Sequence, residues 1–323
     1  MQIKSDFTPF CKLFFFVILF LIMSCEVVAD LVVIGGGCAG YSAALCATRN
    51  NVNVVLVEGC DRGGQLVKAV KIDNIPGIQS ISGIDFMNNL RKQLKDSGIK
   101  MISKDCTGID FSIHPFKISV DGSVIFSNKI IIATGKSFNS LGIESEKKFI
   151  GRGVSYCVSC DGLFYKGKSV CVIGSGDSAI KAAIFLSDIA EDVNVFVRGS
   201  NLKASAHNQD ILKTKKNVKI MYDSSVVEIN GDSVVESVDV RKNNSIVNYK
   251  VDGVFVMIGS NPNTEMFREV LELDEHGYII TDRSGRTNIK GIYAAGDVKS
   301  ETYKQAIIAL GDGYSVAMTC INE

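Results

Sequence analysis

The sequence holds little that would tie it to a nucleic acid, a metal or an extracellular disulfide scaffold. Only 4 of its 323 residues are Pro, so proline-rich linkers are missing. Basic and acidic residues number 35 each with no long basic run, which leaves no electrostatic basis for nucleic-acid binding. The 3 His, at positions 114, 207 and 276, form no ligand pair. There is one C-x-x-C and no second, so the four-ligand set of a structural zinc site is not assembled. Long apolar runs are confined to LFFFVILFLIM at 13–23, short of the roughly 20 residues that span a bilayer as a helix. Its length suits the core of a signal peptide or an anchor, yet Met23 opens MSCEVVADLVVIGGG just ahead of the first expected strand. Residues 1–29 are therefore expected to be an N-terminal apolar extension: an unused upstream start, a signal or an anchor. Membrane association is expected only through 13–23.

What the chain does have is glycine, 30 residues, and cysteine, 10 residues. Several cysteines sit in small, apolar stretches such as GYSAALCATR and KSVCVIG, where they read as small buried hydrophobes. Their spacing is not that of a secreted disulfide framework, and a reducing, cytoplasmic location is expected.

From Asp30 onward the pattern is regular. LVVI (31–34) is a continuous apolar run, as a parallel strand covered on both faces requires. GGGCAG follows, then the small-residue helix YSAALCATRN and a second strand, VNVVLVE (52–58). The same order returns at 169–198, with GSGDSA at the turn. FKISVDGSVIFSNKIIIATG (116–135) reads as a hairpin turning at Asp121-Gly122, followed by a separate buried strand, and 226–259 repeats that layout. The fold class is therefore α/β, with two Rossmann-like nucleotide-binding domains.

Each turn has a ligand logic. In GGGCAG, Gly35 permits the tight turn, Gly37 lets the backbone approach a pyrophosphate, and Gly40 allows close helix–strand packing. The helix start supplies free N–H groups for phosphate. Glu58, ending the next strand, is expected to accept from an adenosine ribose hydroxyl. The second turn offers Gly174 and Gly176, with Ala179 in the third position. Its next strand ends in Arg198 rather than an acid, with Lys203 nearby, so this site is expected to accommodate the 2′-phosphate of NADPH. In YAAGDV (293–298), Asp297 is placed either to hydrogen-bond a cofactor or to cap a helix.

The pair in CVSCDG, Cys157 and Cys160, can in principle hold a metal, form a bridge or exchange electrons. No further ligands are at hand, and a bridge across two intervening residues gains little chain entropy. Redox exchange fits best, with Asp161 adjacent to move protons.

Taken together, GGGCAG, GGQL (63–66), DNIPG (73–77), IIATG (131–135), GRGVSYCVSCDG (151–162), GSGDSA, GSNPNT (259–264), YAAGDV and YKQA (303–306) resemble the low-molecular-weight, bacterial-type thioredoxin reductases, class II pyridine nucleotide-disulfide oxidoreductases. The likeness runs from Asp30 to the C-terminus. It implies non-covalent FAD at the first turn, NADPH at the second, a homodimer, and thioredoxin as partner. Gly64, Gln65, Asn74, Asp297, Gln305 and Ala306 would contact FAD, together with their neighbours Gly63, Leu66, Gly296, Val298 and Lys304. It further implies that Cys160 faces the flavin while Cys157 attacks thioredoxin. An FAD-binding domain is expected over 30–138 and 263–323, with the NADPH-binding domain and its C-x-x-C inserted at 139–262.

The chain departs from the family in four places. Cys38 replaces a proline, and Lys304 stands for an arginine. Ala182 replaces an acid, and VRGSNLKA keeps Arg198 but has Gly199 and Lys203 where further arginines are usual. Two alternatives follow: a related flavin-dependent disulfide reductase with another donor or partner, or an FAD-binding protein with a degenerate donor site. Flavin delivery to ferredoxin is a third, disfavoured because such relatives lack the C-x-x-C.

Overall fold

The computed structural model describes residues 26–300 and 303–323; the apolar run at 13–23 and Met23 lie outside them. Contacts divide the chain into two compact units. One comprises the described residues up to Gly64, Asn89–Gly135 and Thr264–Glu323; the other comprises Gln65–Asn88 and Lys136–Asn263.

The first unit is built on a seven-stranded sheet, ordered Lys100–Ile102, Val54–Val57, Glu26–Ile34, Ser123–Ile132, Phe116–Val120 and Cys106–Asp110, with Ile292–Ala294 also paired to Ser123–Ile132. The strand Glu26–Ile34 runs parallel to both its neighbours. Val54–Val57 is buried at every position, which explains its unbroken apolar sequence. Each such side chain contributes on the order of 1.5–3 kcal/mol by leaving water. The helix Cys38–Arg49 uses small residues for a different reason. Ala43, Ala44, Cys46 and Ala47 are fully buried, and their size lets neighbouring elements come close. Against it lies the helix Ala306–Ile321, near enough that a Cβ on Gly313 would stand 2.1 Å from the Ala39 carbonyl oxygen. The Ser42 hydroxyl donates to the Leu310 carbonyl at 2.6 Å across the same contact.

Two expectations need correcting here. The first strand starts at Glu26, inside the segment read as an extension, because Val124 to Ser127 offer it a parallel partner through Ala29. And the second arm of the hairpin is not separate from the buried strand after it. Ser123–Ile132 is one ten-residue strand, paired with Phe116–Val120 along its first half and with Glu26–Ile34 over its whole length.

The second unit repeats the plan. Its five-stranded sheet is ordered Val218–Met221, Asp192–Phe196, Ser169–Ile173, Gly253–Val256 and Val154–Ser155, all parallel. A three-stranded antiparallel sheet, Ser224–Asn230, Ser237–Lys242 and Ser245–Lys250, precedes the closing strand Gly253–Val256. Residues 65–88, expected with the FAD-binding strands, pack in this unit: Val70 and Lys68 lie against Gly151, and the Lys71 ammonium sits 5.2 Å from the Phe164 ring centroid. Among the described residues, no helix is long and apolar enough to cross a membrane.

Candidate active site and nucleotide-binding turns

The two glycine turns share one geometry. Gly35 has φ +122°, and a Cβ there would lie 2.2 Å from the Ala133 carbonyl oxygen. Gly174 has φ +147°, and its Cβ would lie 2.3 Å from the Met257 carbonyl oxygen. Both are glycine because the chain itself has no room. Gly37 and Gly176, which precede the two helices, differ in kind: a Cβ at either would meet nothing within 4 Å. Open space at that point, in front of free helix N–H groups, is what a backbone approach to pyrophosphate needs. The turns therefore fit the dinucleotides expected of them. Gly40 is required by packing, since its Cβ would stand 1.9 Å from the Gly35 carbonyl oxygen. In the second turn Ala179 fills the corresponding place, fully buried.

Around the first turn, Gly63 N–H donates to the Gly36 carbonyl at 3.0 Å, and a Cβ on Gly64 would lie 3.2 Å from Gly37 Cα. Gly296 comes equally close, its Cβ position 2.6 Å from Ala39 Cβ. Gly63, Gly64 and the Gly296–Val298 turn thus gather at GGGCAG. Burial, with the nearby Asp297 carboxylate adding to it, pushes the Cys38 thiol up to about 12, so it stays protonated. Gln305 precedes the helix that starts at Ala306. Gln65, Leu66 and Asn74 belong to the 65–88 segment of the second unit, where Gln65 accepts from Lys68 Nζ at 3.0 Å.

Several side chains have partners that the sequence did not disclose. Glu58 is buried, and its carboxylate accepts from Tyr41 Oη (2.9 Å), Arg91 Nε (2.9 Å), Arg91 Nη2 (2.6 Å) and Ser103 Oγ (2.5 Å). Burial alone would raise its pKa, but these donors outweigh it and hold the carboxyl below the ordinary range. Four donors match the lone-pair capacity of a carboxylate, so a ribose hydroxyl can bond Glu58 only by displacing one. Lys304, expected at the cofactor, donates to the Lys299 carbonyl at 2.6 Å and lies 4.5 Å from the Tyr278 ring centroid. The buried Lys299 pairs with the half-buried Asp312 at 2.7 Å, and Asp312 also accepts from Gly296 N–H at 2.7 Å. That pair fixes the Gly296 turn. Nothing in the sequence marked it, since lone charges read as surface.

In the second unit, Cys157 and Cys160 are joined as a disulfide, Cα atoms 5.3 Å apart. Both are half-buried, at the start and near the end of the short helix Val158–Asp161. Ser155, also missed, ties the motif together. Its hydroxyl donates to Asp161 Oδ2 at 2.6 Å and accepts from Cys157 N–H at 3.0 Å. Burial raises the Asp161 pKa and the Asp73 carboxylate adds to this, while the Ser155 hydrogen bond partly offsets them. A carboxyl that holds its proton to higher pH than an ordinary aspartate, beside a disulfide, can serve dithiol chemistry as an acid. Arg198 and Lys203 are both exposed, and among the described residues neither side chain has a hydrogen bond or ion pair. Ala182 is 2 % exposed and packs in the apolar core beneath this sheet. No cluster of three or more metal-ligating side chains occurs among the described residues.

Comparison with known proteins agrees with this geometry. Residues 29–313 match the model of the family described as pyridine nucleotide-disulphide oxidoreductase. The chain is 37% identical over 298 residues to a thioredoxin reductase of Streptomyces coelicolor, covering 90% of this chain and 92% of that one. With a thioredoxin reductase of Coxiella burnetii it shares 36% identity over 301 residues, 90% and 94% of the two chains. The crystal structure of thioredoxin reductase from Streptococcus pyogenes superposes with a TM-score of 0.88 at 33% identity, covering 92% and 98%.

Proposed function

The chain belongs to the pyridine nucleotide-disulphide oxidoreductase family, and from that premise we propose that it passes electrons from NADPH through FAD and the Cys157–Cys160 disulfide to the disulfide of thioredoxin. It is a thioredoxin reductase, an FAD-dependent oxidoreductase. One observation carries the reading: the Cys157–Cys160 disulfide stands beside an acid with a raised pKa, in the unit that also bears the second glycine turn.

Gly35, Gly37, Gly63, Gly64 and the Gly296–Val298 turn would hold FAD, while Gly174, Gly176, Arg198 and Lys203 would hold NADPH. When bound, FAD takes two electrons as hydride from the nicotinamide and hands them to a disulfide. The protein's own groups do the rest. Opening the Cys157–Cys160 bond with two electrons leaves two sulfur anions; Asp161 protonates that of Cys160 and leaves Cys157 as the nucleophilic thiolate. Cys157 then attacks the thioredoxin disulfide and forms a mixed disulfide, releasing one thioredoxin thiolate. Cys160 returns its proton to Asp161 and attacks Cys157 as the thiolate, which restores the bridge and releases the second thioredoxin thiolate; both released thiolates take their protons from water. Ser155 keeps Asp161 aimed at this pair.

The family resemblance supports a homodimer. The helix Ala306–Ile321 exposes Ile307, Ile308 and Tyr314, an apolar surface that such a contact would cover. A cytoplasmic location is supported by the thiols: Cys46, Cys171 and Cys320 are buried and outside any disulfide, with pKa values raised by burial.

The experiment that tests the donor half is anaerobic titration of purified protein with NADPH and with NADH, following the flavin absorbance, with thioredoxin then added to restore it. NADPH is expected to be preferred. Changing Arg198 to Ala should narrow the preference by about one to two orders of magnitude, the scale of one charge-assisted contact of about 1.5–3 kcal/mol. Equal use of the two nucleotides by the unaltered enzyme would sink the assignment.

The acid half is tested by pH. Asp161 donates only while protonated, and its raised pKa keeps it so to higher pH than an ordinary aspartate. Thioredoxin reduction should therefore be supported below that pKa and decline as pH rises through it. Asp161→Asn should be slower by about two orders of magnitude or more and should lack that alkaline limb. A variant that kept the limb would assign it to another group.

A further inference from the structure

The strap that follows the strand Asp192–Phe196 is bolted to the second glycine turn in an unusual way. At its base, Ser224 N–H donates to the Val197 carbonyl at 3.0 Å and Asp223 N–H to the Gly199 carbonyl at 3.1 Å. At its far end, Lys203 N–H and Ala204 N–H both donate to the Ser175 carbonyl, at 2.8 and 3.1 Å. Asp177, the first residue of the helix Asp177–Ser187, completes the attachment. Its Oδ1 accepts from Ser205 N–H (3.0 Å), Ser205 Oγ (3.0 Å) and Asn208 Nδ2 (2.5 Å). Asn208 is buried, so its amide has little water to turn to. Ser205 stands at the N-cap of Ala206–Lys213, yet its hydroxyl makes no capping bond there and turns to Asp177 instead.

An acid at this position needs a reason. The carboxylate lies next to the turn expected to receive a pyrophosphate, where a second negative charge works against binding. Three donors on one oxygen hold its pKa low, so the charge persists at neutral pH. What the chain gains is a fixed strap. At the two attachments stand the exposed cations assigned above to the 2′-phosphate: Arg198 between Val197 and Gly199 at the base, and Lys203 at the far end. A lysine is a compact charge on a long flexible stem, without the fork of the arginines that relatives carry, so its selectivity depends on where its backbone is held.

We propose that Asp177 is a positioning residue for donor selection: it clamps the 198–205 strap to the Gly174–Gly176 turn and so places Lys203 and Arg198 for the 2′-phosphate. The proposal rests on the reading of those two cations given above. Binding of NADP⁺ and NAD⁺ to the flavin-loaded enzyme, measured by calorimetry, tests it directly, with KM and kcat for NADPH and NADH alongside. Asp177→Ala should weaken NADP⁺ about ten-fold while NAD⁺ changes less than about two-fold, with kcat unchanged. All three donors meet a single oxygen, so Asp177→Asn, which retains an oxygen acceptor, should restore the discrimination. If Asp177→Ala yields no soluble protein, Ser205→Ala removes only one donor and should show the same bias at smaller size.

The proposal is overturned if NADP⁺ and NAD⁺ weaken together in Asp177→Ala, which would make the aspartate a general structural group, or if neither changes. It is overturned too if Asp177→Asn behaves like Asp177→Ala. Should the unaltered enzyme bind both dinucleotides equally, the reading of Arg198 and Lys203 fails first and takes the proposal with it. That outcome is distinguishable, because it appears before any substitution is made.

Discussion

Replacing Cys160 with Ser abolishes thioredoxin reduction and leaves Cys157 able to trap thioredoxin covalently. That is the expected result, with a loss of three or more orders of magnitude, roughly the scale of removing a reacting nucleophile. Turnover needs two thiols with different tasks: one opens the thioredoxin disulfide and the other resolves the mixed disulfide. In the Cys160→Ser protein the resolving sulfur is missing, so the mixed disulfide on Cys157 persists and is seen on a non-reducing gel. In the Cys157→Ser protein activity is lost equally, but no such adduct forms. NADPH should still bleach the flavin in both, since neither sulfur takes part in that half-reaction. The bridge itself is present in the structure. If the double Ser variant still reduced thioredoxin, the motif would be a bystander.

The second large effect separates two kinds of glycine in one turn. Gly37→Ala should give a folded protein that has lost most of its FAD, with affinity down by about one to two orders of magnitude. The reason is that a Cβ at Gly37 meets no protein atom within 4 Å, and its backbone (φ −89°, ψ −171°) is open to any residue. The only group it can obstruct is the one that approaches there. Gly35→Val should fail earlier. With φ +122° and a Cβ position 2.2 Å from the Ala133 carbonyl oxygen, it forces apart the pairing of the first strand with Ser123–Ile132. Strain of this kind costs several kcal/mol, and soluble protein should be scarce. Circular dichroism and the flavin-to-protein absorbance ratio read the two outcomes separately. A Gly37→Ala protein that kept full flavin would show that no ligand passes over this glycine.

Much of this was legible in the chain itself. Val54–Val57 and Ser169–Ile173 are strands because their apolar residues run unbroken, which only a sheet covered on both faces can bury. The glycines at 35, 37, 174 and 176 stand between such a strand and a small-residue helix, and that order alone marked the turns. The CVSCDG motif needed nothing but its spacing and the absence of other ligands to be read as a redox pair.

Pairing lengths and side-chain partners were another matter, because they depend on residues far away in sequence. The first strand begins at Glu26 because Val124–Ser127 lie beside it, a fact no local pattern carries. Glu58 looked free to hold a ribose, and only folding brings it Arg91 and Ser103 from 33 and 45 residues away. Lys299 and Asp312 are ordinary surface residues by composition until burial obliges them to pair. Ser155 and Asp161 are six residues apart, yet their hydrogen bond requires the short helix Val158–Asp161 to turn the carboxyl back on the serine. By itself, then, the sequence determined the turns, the redox pair and the doubled α/β plan, since each is written in contiguous residues and their period. The tertiary structure alone decided which charges are free to meet a ligand and which are already spent on the protein, because a charged side chain's partner is set by what folding brings within 3 Å of it.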